Sequence, residues 1–239
     1  MLWRLNSKPL NGLNIHFLYA LWKADCVAVG GGFMKTIVVA AQKGGSGKST
    51  ITAHLSVEFI RQGLTVAVLD LDRQGSISFW RSQRQHDEPE VSNVGFGEFQ
   101  EYHEHCEEEG FDILLVDTPP HAGAGIQAVT SLGDLVIVPV RPGPLDVAAL
   151  GGTIRFLKPE NTIIVLNQVP AVGTEADEAR QLLAGQYANF SVAQTTLGLR
   201  KAYSQALIAG LSIVEFERPN AKAVSEIKAF FEEVMECVK

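Results

Sequence analysis

From residue 36 onward, short apolar runs rich in β-branched residues alternate with stretches of helical character. The runs are TIVVAA (36–41), TVAVLD (65–70), FDILLVD (111–117), DLVIVPV (134–140) and TIIVLNQV (162–169). They are apolar at odd and even positions alike, which predicts strands covered on both faces. Helices are expected at about 48–62, 145–157, 174–186 and 220–238, with FSVAQTTL (190–197) and LSIVEF (211–216) continuing the alternation. Strand–helix–strand repetition of this kind builds right-handed βαβ units and a mostly parallel sheet flanked by helices. There is no internal repeat and no low-complexity linker, so residues 34–239 are read as one α/β domain.

Residues 1–33 read differently. Their weak apolar centre is broken by His16, Lys23 and Asp25, and no small-residue cleavage site follows. Met34 directly precedes the first strand-like run, and the codons of Gly30–Gly32 would resemble a ribosome-binding site. Met34 is therefore the expected natural start, with 1–33 a translated leader or disordered extension. No run reaches the roughly 18–20 apolar residues needed to span a bilayer. Cys26, Cys106 and Cys237 form neither a disulfide framework nor a CxxC pair, which fits a reducing cytoplasm. The net charge of −7 argues against a protein coated in positive charge but leaves room for a local basic patch.

The first strand leads into QKGGSGKST (42–50), a glycine-rich turn placed just before a helix. This is the setting of a Walker A loop, GxxxxGK[ST], apart from Gln42 at the position of the first glycine. Gly44, Gly45 and Gly47 let backbone N–H groups turn towards phosphates, and the helix N-terminus adds positive potential. Lys48 is expected on the β- and γ-phosphates, Ser49 on Mg²⁺ and Thr50 on the α-phosphate; Ser46 completes the loop. FDILLVD ends in Asp117, a strand-end carboxylate able to reach a metal ion. Asp70 and Asp72 read either as ordinary strand-end carboxylates or as part of the site. His103, His105 and Cys106 lie close together in EFQEYHEHCEEEG (98–110), but no second ligand cluster accompanies them. A solvated acidic helix is the better reading there.

Lys43, a second lysine inside the loop, gives the chain a named likeness. QKGGSGKST resembles the deviant Walker A motif of the ParA/MinD family of P-loop ATPases, most closely the small ParA partition proteins. The likeness continues through VAVLDLDRQGS, FDILLVDTPP, VRPGPLDVAAL, IIVLNQV and residues 200–227. It implies a three-layer P-loop NTPase fold, ATP and Mg²⁺ as cofactors, and hydrolysis of ATP. Asp72 takes the family's catalytic aspartate position near Mg²⁺, although Arg73 stands where most relatives carry proline. Asp117 takes the Walker B role, with Thr118, Pro119 and Pro120 as the second switch. Asn167 matches the adenine-reading asparagine, and Phe216, Arg218 and Pro219 would pass near the base. Asp146 belongs either to a dimer interface or to a simple helix N-cap. Lys43 would act in trans, reaching the partner subunit's triphosphate in an ATP-bound homodimer.

The resemblance further implies a cytoplasmic, nucleoid-associated switch for plasmid or chromosome partition. It would bind non-specific DNA as the ATP dimer, and a ParB-type centromere-binding protein would stimulate hydrolysis. Arg200, Lys201 and Lys222 are the first candidates for DNA contacts, with Arg180, Arg218 and Lys228 further ones. The C-terminal helix carries Glu226, Glu232, Glu233 and Glu236, unlike the basic lipid-binding helix of MinD-like proteins, so no membrane partner is expected. Cysteines suited to the iron–sulfur branches are missing. The alternative is a positioning or assembly ATPase for a secretion, pilus, polysaccharide-synthase or microcompartment machine. A small-molecule kinase or amidoligase leaves Lys43 unexplained.

Overall fold

The computed structural model describes residues 34–120 and 125–238. The reading of 1–33 as a leader falls outside the described residues. Seven parallel strands form one sheet in the order β3-β2-β4-β1-β5-β6-β7. They are β1 (Lys35–Val39), β2 (Val66–Asp70), β3 (Glu90–Asn93), β4 (Ile113–Asp117), β5 (Leu135–Val140), β6 (Thr162–Leu166) and β7 (Ser191–Val192). β2, β4, β5 and β6 are buried at every position, as their unbroken apolar runs predict.

The helices are α1 (Lys48–Arg61), α2 (Ser76–Gln83), α3 (Phe99–Glu108), α4 (Gly125–Ser131), α5 (Pro144–Ala149), α6 (Gly151–Ile154), α7 (Glu175–Gln186), α8 (Lys201–Ile208), α9 (Ile213–Phe216) and α10 (Lys222–Cys237). Four expectations change. LSIVEF yields the short helix α9 rather than a strand, because Ser212 and Glu215 close a capping box over its four residues. The expected 145–157 helix breaks into α5 and α6 at Leu150. Glu90–Asn93 forms an edge strand too polar to stand out in the sequence. The 98–110 helix is solvated on one face only, since Phe99, His103 and Cys106 are buried. His103 Nε2 lies 2.9 Å from Thr36 Oγ1, and among the described residues no group of three His, Cys, Asp or Glu side chains is placed to hold a metal ion.

α1 is buried from Ile51 through Phe59, and α10 covers it with Ile227, Phe230, Phe231 and Val234. Phe59 and Phe231 meet edge to face at 4.9 Å between ring centroids. α9 and the residues just before it are tied to α1 and to the end of α2. Ile213 N–H donates to His54 Nδ1 at 3.2 Å, Trp80 Nε1 donates to Leu211 O at 3.2 Å, and Arg84 forks onto Glu215 at 2.8 Å.

His54 is fully enclosed, and burial depresses its pKa from 6.5 to about 3, with Glu215 opposing only weakly. As pH falls below 6.5 the unfolded chain protonates this ring while the folded chain does not. Stability is therefore complete above 6.5 and falls by about 1.4 kcal/mol per pH unit on acidification towards 3. Urea midpoints measured from pH 7 to 5 should show this slope. In His54→Gln the slope should flatten, whatever that variant's absolute stability; an unchanged slope would exclude His54 as its source.

Candidate functional site

The site forms where the strand order reverses. β1 lies between β4 and β5, so its C-terminal end opens onto the crevice in which parallel α/β sheets take ligands. Register sets Val39 level with Asp117, and Asp117 level with Asp70. From Val39 the chain passes through residues 40–47 and enters α1 at Lys48.

Two of the three glycines singled out in this loop are required. Gly45 and Gly47 have φ of 69° and 97°, and a Cβ would overlap the Arg141 guanidinium at the first and the Asn167 amide at the second. At Gly44 φ is not positive and a Cβ would meet nothing. The loop carbonyls are held from the β5 and β6 side. Arg141 and Gln168 donate to Gly45 O, and Asn167 Nδ2 donates to Ser46 O at 2.7 Å. Gln42 fastens the loop entry, its N–H donating to Thr153 Oγ1 at 3.1 Å and its amide to Gly152 O at 2.7 Å.

Lys48 is buried. Desolvation pulls its ammonium below the ordinary lysine value, and Asp117 and Asp72 act against that. Ser49 Oγ donates to Asp117 Oδ2 at 2.6 Å. Burial pushes the Asp117 carboxyl up to about 7, although the bond from Ser49 pulls the other way. Asp117 Oδ1 is enclosed and has no protein partner. An orphaned buried carboxylate oxygen beside a serine hydroxyl suits a hard divalent cation, so these residues fit Mg²⁺.

The two strand-end aspartates separate. Asp70 accepts from Asp72 N–H, Ser78 N–H and Ser78 Oγ, and so holds the start of α2. Asp72 accepts from Gln74 N–H and lines a cleft of about 380 Å³ together with Gly44, Gly45, Gly47, Lys48, Ser49 and Thr50. Ser76, Ile77, Trp80, Pro120, Gln168 and Leu207 complete its walls. Of these, Ile77, Trp80 and Leu207 carry no motif that marks them in the sequence.

Other candidates lie elsewhere. Lys43 is outside that cleft, with Nζ 2.8 Å from Asp146 Oδ1 and its side chain 44% exposed. The N-cap reading of Asp146 is corrected: Gly143 caps α5, and Asp146 sits in its first turn, paired with Lys43. Asn167 contacts the loop backbone instead of the cleft wall. Phe216, Arg218 and Pro219 do not line the cleft. Arg200 is bound by Glu226, which accepts from its Nε at 2.9 Å, and Arg180 donates to the Ala193 and Gln194 carbonyls. Both are thus held by partners within the fold, whereas Lys201, Arg218 and Lys222 remain exposed.

A glycine loop gripped at its carbonyls, a buried lysine at a helix start and a paired serine and aspartate at the sheet's switch point define a P-loop nucleotide-binding protein. The CobQ/CobB/MinD/ParA nucleotide binding domain matches residues 37–214, and the chain belongs to that family. It is 30% identical over 200 residues to "Maintenance of carboxysome distribution protein A" of Gloeobacter kilaueensis, covering 80% of this chain and 88% of that one. It is 27% identical to the Escherichia coli protein IncC, over 82% and 68% of the two chains. Among solved structures, the Cyanothece McdA–ATP complex superposes with a TM-score of 0.68 at 18% identity, over 87% of this chain and 97% of that one. The Pyrococcus horikoshii septum site-determining protein MinD with Mg-ADP does so at 0.67 and 16%, over 84% and 96%. These likenesses confirm the expected fold and family.

Proposed function

We propose that this chain is an ATP-hydrolysing dimerisation switch of the ParA type. The carrying observation is the cluster of buried Lys48, Ser49 and Asp117 with Asp72 at the mouth of the loop. Lys48 and the loop N–H groups neutralise the phosphates, and Thr50 contacts the α-phosphate. Ser49, Asp117 and Asp72 would hold Mg²⁺, which supplies charge neutralisation between the phosphates when bound. Asp72, the carboxylate left free to face the cleft, orients the attacking water. Lys43 serves a second subunit: it stands outside its own cleft, and the two-subunit closure brings it to the partner's triphosphate.

Partition of DNA is the cargo role we favour. It is supported by the likeness to IncC and by the exposed cations Lys201, Arg218 and Lys222. On this reading the ATP dimer lies on the nucleoid in the cytoplasm, and a ParB-type activator releases it. A second reading, positioning of a protein complex, is favoured by the likeness to the carboxysome-distribution protein. Among the described residues no helix is long and apolar enough to cross a membrane.

Filter retention of random-sequence DNA tests the first reading. ATP with Mg²⁺ should retain DNA, ADP should not, and retention should fall steeply between low and moderate salt. Substituting both Lys201 and Lys222 by glutamate should remove retention while leaving basal ATP turnover intact. Equal retention with ATP and ADP, or none with either, would remove the DNA switch and leave the protein-complex reading.

A further inference from the structure

We propose that Arg141 and Gln168 are positioning residues for the phosphate loop, holding the Gly45 carbonyl outward so that the next peptide N–H faces the ligand. The inference rests on the reading of this loop as the triphosphate site. Arg141 follows β5 directly and Gln168 lies just beyond β6, and the ends of these paired strands stand side by side at Val140 and Leu166. From there both side chains converge on one oxygen. Arg141 donates Nε at 3.2 Å and also Nη2, and Gln168 donates Nε2 at 2.8 Å.

A planar trans peptide places its C=O and N–H on opposite sides. Fixing Gly45 O towards β5 and β6 therefore turns the Ser46 N–H the other way. Asn167 does the same to the following peptide through Ser46 O. The N–H groups of Gly45, Ser46 and Gly47 donate to no acceptor among the described residues, so they stay available to an anion. Without the clamp, rotation of the 45–46 peptide would present a carbonyl oxygen to the phosphates and repel them.

Two features mark the arrangement as more than incidental packing. Arg141 has no carboxylate within ion-pair distance among the described residues; the nearby Asp146 is paired with Lys43. Its charged fork is given to a neutral loop carbonyl. Gln168 holds a left-handed backbone, φ 57°, which a non-glycine residue adopts only where the surroundings impose it.

The test is equilibrium binding of fluorescent ATP and ADP, with Mg²⁺, to the full chain, alongside unliganded melting. Arg141→Ala and Gln168→Ala should each weaken both nucleotides about fivefold, the scale of one lost hydrogen bond. The double variant should lose on the order of 100-fold, more than the product of the single losses, because either arm alone still holds the oxygen. Unliganded melting midpoints should stay near wild type, which separates positioning from loss of fold. Wild-type affinity in Arg141→Ala, or a double loss no larger than the product, overturns the clamp. Failure of the wild-type chain to bind ATP overturns the nucleotide reading instead. Should Arg141→Ala not fold, Arg141→Lys keeps the charge without the fork and should give an intermediate loss; full affinity there also overturns the clamp.

Discussion

Lys43→Ala should bind ATP as wild type does and lose dimer-dependent hydrolysis roughly a thousandfold, the scale on which a cation supplied in trans acts at a γ-phosphoryl group. The structure separates the two lysines of the loop. Lys48 is buried beside Asp117 and Asp72, whereas Lys43 faces away from its own cleft onto Asp146. An ion pair this open to solvent contributes about 1 kcal/mol or less, so Lys43 can exchange Asp146 for a triphosphate at small cost. No activator is needed for the measurement. On the proposed reading hydrolysis waits on pairing, so turnover per subunit should rise with protein concentration in the wild type and stay flat in Lys43→Ala. A variant that tracks the wild-type curve would exclude catalysis in trans.

The second large effect is expected at Asp72. Asp72→Ala should slow hydrolysis by on the order of 10²–10³, the usual contribution of a carboxylate that orients or deprotonates the attacking water. ATP should then accumulate in a complex eluting at twice the monomer mass in size-exclusion chromatography. Asp70 cannot substitute for it, since both of its oxygens are committed to the backbone of residue 72 and to Ser78. Rapid turnover in Asp72→Ala, with no dimer retained, would move the water-orienting role elsewhere. Asp70→Asn is the companion variant: it should lower stability by disturbing the start of α2.

Local chemistry made most of the fold and half of the site readable. The strands announce themselves because each is buried on both faces, and Gly47-Lys48-Ser49 fixes a loop at the end of the first. What stayed hidden depends on partners distant in sequence. Asp146 looked equally suited to capping a helix until Lys43, over a hundred positions earlier, proved to be its partner. Arg200 looked like a free cation until the fold brought Glu226 onto it. LSIVEF has strand-like composition, yet one serine and one glutamate at capping-box spacing turn it helical. Arg141 and Gln168 stood beside motif residues without any sign that both reach Gly45.

The sheet order has a further consequence, for synthesis. β1 pairs with residues 113–117 on one side and with 135–137 on the other. Among the strands described, the earliest made is thus the central one, and both of its neighbours follow only after β2 and β3. At about 5–20 residues per second, translation needs roughly 5–20 s to supply both flanking strands. Through that interval at least one edge of this apolar strand lacks its partner, leaving it dependent on chaperones or on transient burial against α1. The half-made chain is then most exposed to aggregation, and slowing translation before residue 140 should lower soluble yield more than slowing it afterwards.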